Sequence, residues 1–396
     1  MQKSANRQIS PHCILACLYF LLLPTTIAVN SAGNSILKLA TIPIGVFFLI
    51  TIFLSKRKLQ INGVHLALLV YTLSAISTLF VDASRGCIVY VTGYILNAAL
   101  YVCLTVIPYN KAELELMEKI QILLLVILNV LTLFSNGTLE DRTTLMIMGQ
   151  TSDPNYFIGF FIFPLTVALK KLVSGKHPLL YLLLIAVSLY SIFLSGSRGG
   201  FLAIAVTIAG FAFLYPSGFA KRFLFLIGGL VIFVVFWTVF KPFLPENIVE
   251  RMSVESVVES GGSGRAVIWP AMIHAIVDQP EKLLFGRGVN TLHQMLVRRV
   301  WGGVGAHNQI IQITYNQGLV GLLSFLFLTG ISFFRCVKRR KTVSIAIIGM
   351  LALSVSLSFN PTTRTFWNLI AYAAFAFPDN DTNTIDNGGL SDHEHT

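Results

Sequence analysis

Charged residues are scarce in this chain of 396 residues. Only 12% of them are Asp, Glu, Lys or Arg, whereas roughly 25% are charged in ordinary soluble proteins. A surface wetted on all sides requires more charge, so the composition excludes an ordinary soluble globular protein. Hydrophobic residues instead make up 55% of the chain, and its mean hydropathy is +0.73. The sequence therefore predicts an integral membrane protein with an all-α fold.

Cysteine is also rare, and its positions predict neither a disulfide framework nor a zinc site. The five cysteines lie within or beside apolar stretches, and no two of them form a Cys-x-x-Cys pair. The net charge of +11 could indicate nucleic-acid binding, but no run of Lys and Arg is interleaved with stacking aromatic residues. The basic residues lie in short gaps between apolar stretches, which is typical of membrane topology.

Apolar stretches near the ~20-residue length that crosses a bilayer predict twelve transmembrane helices in a single bundle over residues 1–377. They lie at 12–29, 36–54, 64–81, 87–107, 120–135, 155–169, 179–195, 200–215, 223–240, 308–334, 343–359 and 365–377. The first stretch exceeds the usual ~7–15 residues of a signal-peptide core, which favours a retained helix. An acidic tail at 378–396 is predicted to be disordered and cytoplasmic.

The gaps between these stretches differ in positive charge. With a cytoplasmic N-terminus, the inner gaps hold 17 Lys and Arg, the short outer gaps hold five, and one long loop holds seven, which together account for all 29. Because short cytoplasmic loops are rich in Lys and Arg, both termini are predicted to be cytoplasmic. The long loop, at about 241–305, is predicted to face the periplasm or exterior and to contain a helix over Arg265–Val277.

Two arginines are candidates for function, because an ionisable group beside the lipid is costly. Arg198 lies in the segment SGSRGG at 195–200, whose three glycines could let the backbone approach a ligand. The alternative is an arginine that reaches the membrane interface from a short loop. Arg265 begins the predicted loop helix, and Trp269, four residues later, could pack on its stem or stack on a sugar. The alternative for this pair is an interfacial aromatic anchor beside an incidental charge.

His307 is the third candidate. It lies in the segment GAHNQ at 305–309, where the chain re-enters the membrane, with Asn308 directly after it. Histidine titrates near neutral pH, so His307 could accept a proton from a hydroxyl, whereas a histidine that caps a helix is the alternative. All three motifs map to the outer face, which favours one shared site.

Weaker signals surround these motifs. The segment SDPN at 152–155 is interpreted as a helix N-cap with an adjacent turn. Arg142 could add to an anion site, and a solvated charge is the alternative. Arg287, Arg298 and Arg299 are expected to contact the lipid surface or to pack within the loop.

The motifs together resemble the O-antigen ligase and O-antigen polymerase superfamily. The resemblance is carried by Ser-Gly-Ser-Arg198-Gly, by Gly-Arg265-x-x-x-Trp269 in a large external loop, and by His307-Asn308 followed by Gly318-x-x-Gly321. The twelve predicted helices with both termini inside also fit this family. The specific motifs cover about residues 195–321.

This resemblance implies a glycosyltransferase that needs no metal and no other cofactor. The donor would be a glycan on an undecaprenyl-diphosphate carrier, and the acceptor would be a hydroxyl of a second glycan or of lipid A core. Arg198 and Arg265 would hold the diphosphate and His307 would lie at the acceptor, while Trp269, Asn308 and Arg142 are further candidates for substrate binding. Membrane lipids and a chain-length regulator would be its other partners.

Two alternatives remain open from the sequence. Ligation to lipid A core requires an outer-membrane bacterium, whereas polymerisation serves either envelope type, so a polymerase is slightly favoured over a ligase. A transporter or flippase of lipid-linked glycans belongs to a different class. Transporters usually place ionisable residues and broken helices near the bilayer midplane, whereas these candidates lie at the outer rim.

Overall fold

The protein is described by a computed structural model that covers most of the chain. It describes residues 9–28, 36–134, 137–139, 141–174, 177–215, 218–253, 255–256, 264–288, 292, 295, 306–337 and 341–356. The twelfth predicted helix, at 365–377, and the acidic tail at 378–396 lie outside the described residues.

The described chain is mostly helical. Its α-helices are α1 (Pro11–Leu22), α2 (Ile36–Leu54), α3 (Gly63–Ser77), α4 (Arg85–Thr105), α5 (Lys111–Phe134), α6 (Ile158–Ser174), α7 (Pro178–Leu194), α8 (Arg198–Leu214), α9 (Phe219–Phe240), α10 (Glu246–Arg251), α11 (Arg265–Val277), α12 (Gln309–Val337) and α13 (Lys341–Ser356). Short 3-10 turns follow α1, α3 and α9 and lie after α11.

The predicted apolar stretches up to residue 356 coincide with helices. The largest difference is α5, which begins at Lys111 rather than near 120. Its first turns are amphipathic, so hydropathy alone missed them. α6 runs past the predicted end at 169 to Ser174, and Lys170 Nζ in this last part pairs with Glu118 Oε1 of α5 at 2.7 Å.

Four helical segments are long and apolar enough to cross a membrane, namely Gly63–Phe80, Arg85–Thr105, Lys111–Phe134 and Gln309–Val337. Several other apolar helices are shorter. Large hydrophobic side chains point outward, such as Phe80 (91% exposed) and Phe53 (85%). Such a surface suits lipid rather than water, so the chain is a helical membrane protein. The full set of twelve spans stays a prediction.

Two short β-hairpins, which the sequence did not predict, join α5 to α6. Strands β1 (Thr138–Leu139) and β2 (Arg142–Thr143) form one, and β3 (Met146–Ile147) and β4 (Gln150–Thr151) form the other, both antiparallel. Met148 and Gly149 have φ of 53° and 77° between β3 and β4. Two consecutive positive φ angles are what a tight two-residue hairpin turn requires.

Polar side chains connect helices inside the bundle. Asn129 of α5 donates to Ser188 Oγ of α7 at 2.9 Å and accepts from Ser191 Oγ at 3.0 Å. Gly349 of α13 lets that helix approach α8, because an added Cβ would meet Thr207 Oγ1. Close approach at small residues and interhelical hydrogen bonds are typical of helix packing in membranes.

Helix α12 is broken at Gly318, where φ is 69° and ψ is −165°. The long loop fills the break. Leu319 N and Val320 N donate to Leu283 O and Leu284 O at 2.8 and 3.1 Å. Arg287 N and Gly288 N donate in turn to carbonyls of α12 at Tyr315 (3.0 Å) and Asn316 (3.1 Å). The freed backbone groups are therefore satisfied within the protein, as the bilayer demands.

Two glycines make this docking possible. A Cβ at Gly318 would meet Leu284 O and Gly286 N, and a Cβ at Gly286 would meet Asn316 O and Gln317 N. Both residues have positive φ, and Gly318 lies in a backbone region that is essentially restricted to glycine. Gly318→Ala and Gly286→Ala should therefore each destabilise the protein by roughly 1–3 kcal/mol.

Thermal unfolding in detergent measures this effect, with Gly330→Ala as the matched control. Gly330 lies in the same helix with ordinary φ and open space around its Cα. We expect the control to unfold at or above the wild-type temperature and the other two variants well below it. Equal unfolding temperatures for all three variants would contradict the docking of the loop in the break.

Candidate functional site

The helices α10 and α11 both lie in the long loop. α11 has the bounds that the sequence predicted, Arg265–Val277, whereas the short α10 was not predicted. α11 packs on the start of α12 through a separate apolar cluster, which consists of Ile268, Met272, Ala275, Leu292, Ala306 and Tyr315. This packing sets the first residue of α11 beside the residues that precede α12.

A small cavity of about 70 Å³ lies where these elements meet. Its lining residues are Asn155, Arg198, Gly199, Arg251, Arg265 and His307. The structure thus brings together Arg198, Arg265 and His307, which are far apart in sequence and were selected from three separate motifs.

Arg198 is the first residue of α8, and its neighbours fix it there. Ser197 caps the helix by accepting from Gly200 N at 3.1 Å, and its hydroxyl donates to Asn155 Oδ1 at 2.7 Å. Arg198 Nε donates to Arg251 O and Nη2 to Ser256 Oγ, both at 2.8 Å. Both acceptors are neutral, so these bonds orient the guanidinium without cancelling its charge.

Arg265 is the first residue of α11 and follows Gly264, whose φ is 79°. Its Nε is buried and has no hydrogen-bond partner among the described residues. Burial lowers the pKa of Arg265, and the charge of Arg198 lowers it further. Because an arginine keeps its charge in proteins, both effects leave a guanidinium that would be stabilised by an anion.

His307 lies at the end of the loop, in the left-handed region with φ of 48°. Asn308, directly after it, caps α12, since its Oδ1 accepts from Ile310 N and Ile311 N at 3.0 and 3.2 Å. Trp269 Nε1 donates to the carbonyl of Ala306 at 3.0 Å. These two side chains, predicted as substrate contacts, thus fix the backbone on both sides of His307, and neither is among the residues that line the cavity.

The environment of His307 favours its neutral form. Burial lowers its pKa from the ordinary value of 6.5, and the nearby charge of Arg265 lowers it further, while Asp153 acts in the opposite direction. A neutral imidazole has one nitrogen that can accept a proton. At neutral pH, His307 therefore has the protonation state that a general base needs.

Three helix N-termini meet at the cavity. Arg198 and Gly199 begin α8, Arg265 begins α11, and His307 lies two residues before α12. The first turn of a helix carries a partial positive charge and backbone N–H groups without helical partners. Together with the guanidinium groups, this arrangement suits an anion, and phosphate in particular.

Two lining residues were not predicted as site residues. Arg251 ends α10 and was counted only among the charges of the loop. Asn155 was interpreted as part of a helix cap, but α6 begins later, at Ile158, and Asp153 Oδ1 accepts from Asn155 N at 2.7 Å in the turn before it. The Asn155 side chain is thereby turned toward Ser197. In the sequence, Arg251 was marked only by its charge in a segment that follows Pro245. Asn155 was marked only by its position directly after Pro154.

The remaining arginines have different environments. The alternative of a solvated Arg142 is wrong, because this side chain in β2 is only 4% exposed; its Cδ lies 3.6 Å from the position of a Cβ added to Gly196. It lies beside the site without lining the cavity. Arg287 donates to Ala275 O and lies over the ring of Tyr315, which agrees with loop packing. Arg298 and Arg299 lie outside the described residues.

A comparison with family models relates this site to known proteins. Residues 183–326 match the family described as O-antigen ligase, and the matched segment contains Arg198, Arg251, Arg265 and His307. No curated protein matches the chain. The family match confirms the resemblance to the O-antigen ligase and O-antigen polymerase superfamily that the sequence motifs indicate.

Proposed function

We propose that this protein transfers a glycan from an undecaprenyl-diphosphate carrier to a hydroxyl of a second glycan, at the outer face of a bacterial cytoplasmic membrane. The family indicates a glycosyltransferase of the O-antigen ligase and polymerase type. The cavity supports the proposed donor and acceptor, because Arg198, Arg265, three helix N-termini and a neutral His307 meet there. It combines an anion site with a proton acceptor.

In the proposed reaction the acceptor hydroxyl attacks the anomeric carbon of the donor. The bond from that carbon to the phosphate oxygen breaks, and its electron pair leaves with the diphosphate. His307 accepts the hydroxyl proton as the new glycosidic bond forms. Attack opposite the leaving group inverts the anomeric centre in one displacement.

The guanidinium groups stabilise the departing diphosphate. Arg198 and Arg265 can donate paired hydrogen bonds to phosphate oxygens, and both are fixed at the first residue of a helix. Donors that are oriented before the reaction stabilise developing charge without reorganising. The charge that develops on the leaving group is thereby stabilised by side chains of the protein, so the proposed reaction requires no metal ion.

The proposed topology places this cavity outside the cytoplasm. This topology has twelve helices over 1–377, with both termini inside and the 241–305 loop outside. The orientation is predicted from the positive charges between the apolar stretches. The donor's polyprenyl chain would then lie in the outer leaflet, beside the apolar helix surfaces. Surface-polysaccharide assembly, such as O-antigen, capsule or exopolysaccharide, is the process that this reaction serves, and we retain the slight preference for a polymerase over a ligase.

One observation favours the alternative of a transporter. Broken helices with polar contacts are common in transporters, and α12 is broken beside a buried network in which Gln317 Nε2 donates to Tyr94 OH at 3.2 Å and Ser74 donates to Gln317 Oε1 at 3.3 Å. The break is filled by the protein's own loop, however. The break in α12 is therefore a docking point for the loop, whereas the charged groups that could bind a substrate meet at the cavity.

Reconstitution tests the proposal directly. Purified protein, an undecaprenyl-diphosphate repeat unit and EDTA should give a ladder of products on a gel if the protein is a metal-independent polymerase. Arg198→Ala and Arg265→Ala should each reduce the rate by roughly 10²–10³-fold, since loss of one preorganised stabilising donor has effects of that size. His307→Ala should reduce it by roughly 10²–10⁴-fold, the contribution that is typical of a general base.

Two matched controls test whether the loss of activity is specific to the residues of the cavity or follows the loss of any basic side chain. Arg85→Ala removes an exposed arginine that also begins a helix, and His274→Ala removes an exposed histidine of α11. Both variants should keep the wild-type ladder. A ladder that appears only with lipid A core would identify a ligase. Wild-type inactivity with both acceptors would contradict a glycosyltransferase and favour transport.

The pH dependence should report the titration of His307. Because its pKa is lowered and the neutral form is active, kcat/KM should be constant near neutral pH and fall only below about 6.5. The charges around His307 are Arg265 of α11, Asp153 before α6, and Arg198 and Arg251 across the cavity.

Two variants should move this acidic limb in opposite directions. Asp153→Asn removes the carboxylate that raises the pKa, so the limb should move to lower pH. Arg265→Gln removes a cation that lowers the pKa, so the limb of its residual activity should move to higher pH. Initial rates across a pH series measure both shifts, and shifts of the same sign would rule out His307 as the titrating base.

A further inference from the structure

Arg251 contributes a third guanidinium to the cavity, and the proposed reaction assigns it no role. It is the last residue of α10, a single short helix that follows Pro245. Ile248 of the same helix is only 1% exposed, and Leu244 just before it is 7% exposed. The apolar side of this segment is therefore anchored, which places Arg251 at the cavity wall beside Arg198 and Arg265.

Arg251 and the segment that carries Arg198 are joined by hydrogen bonds in both directions. Its Nε donates to Gly196 O at 3.2 Å, and its own carbonyl accepts from Arg198 Nε at 2.8 Å. Gly196 has φ of 56°, and a Cβ added there would lie 3.3 Å from Arg251 Cδ and 3.0 Å from Ile248 Cδ1. The glycine lets α10 approach this closely, so the two guanidinium groups have fixed positions around one cavity.

The charge of the proposed substrate changes during the reaction. A diphosphate esterified at both ends carries one negative charge on each phosphate, hence two in total. When the bond to the anomeric carbon breaks, the electron pair goes to the terminal phosphate, which becomes a monoester with a second pKa near 6. The product therefore carries close to three negative charges above neutral pH.

We propose that Arg251 is a further catalytic residue that contacts the leaving diphosphate and matches the charge that appears on it. The inference rests on the proposed function. Arg198 and Arg265 balance the two charges of the bound donor, and Arg251 supplies the third cation, whose attraction grows as the bond breaks. An interaction that is stronger in the transition state than with the substrate accelerates the chemical step.

Two soluble probes that differ by one charge test this role. Farnesyl diphosphate resembles the product, and its terminal methyl ester keeps both phosphates but carries one charge fewer, as the donor does. Binding of each probe is measured at pH 8 to wild type, Arg251→Gln, Arg251→Lys and the control Arg85→Gln. Wild type and control should bind farnesyl diphosphate more tightly than the ester.

Arg251→Gln should weaken farnesyl diphosphate binding roughly tenfold or more, the effect of losing a charged hydrogen bond, and leave the ester nearly unchanged. Arg251→Lys, which keeps the charge, should retain part of the preference. In the transfer assay, Arg251→Gln should lower kcat with little change in KM. Arg198→Ala, in contrast, should weaken both probes.

Three outcomes would overturn the proposal, and they differ from one another. If Arg251→Gln weakens both probes equally and lowers the unfolding temperature, Arg251 only anchors α10; unchanged binding of both would also exclude the contact. If wild type binds neither probe, a diphosphate donor is wrong and the proposed function fails with the inference. Tight wild-type binding with no Arg251 effect leaves the proposed function intact.

Discussion

Backbone groups freed at Gly318 take their partners from the long loop, and the arrangement of the cavity follows from this pairing. Residues 283–288 pair with α12 on both sides of the break, through two hydrogen bonds in each direction. The same helix begins two residues after His307, and α11, which begins with Arg265, ends shortly before residue 283. A requirement of backbone chemistry in lipid thus fixes the loop against the bundle, and the loop carries most of the cationic groups of the cavity.

The cavity places like charges close together, which opposes folding. The effect of Arg198 on the pKa of Arg265 and that of Arg265 on the pKa of His307 have the same origin, namely repulsion between cations. Helix N-termini add further positive potential. Apolar packing of α11 on α12 and the bonds between Arg251 and the Gly196–Arg198 segment hold the groups in place against this repulsion. Strain of this kind is common at functional sites, where a bound anion relieves it.

Features that depend on the length and composition of a segment were predicted from the sequence, whereas features that depend on tertiary contacts were not. Apolar stretches locate the helices because a bilayer crossing has a minimum length. α11 was predicted because the glycine-rich segment SGGSG at 260–264 precedes it and Pro280 follows it. Arg251 was missed since α10 is too short to show a periodicity. Burial of Arg142 and the use of Asn155 in the site depend on the β-hairpins and on the Ser197 hydroxyl, which no local pattern reveals. Gly318 was singled out only as part of the Gly318-x-x-Gly321 motif, and no local pattern predicted the break in α12 there.

The positions of the lining residues along the chain determine how the cavity would be exchanged by recombination. Five of the six residues that line the cavity lie between 198 and 307, inside the segment that matches the family, and only Asn155 comes from the preceding part of the chain. The hydrogen bond from Ser197 to Asn155 joins the two parts at this wall. A recombination event that exchanged residues 183–326 would therefore move the cationic cavity almost whole, and Asn155 would be the residue at which compatibility with the recipient is decided.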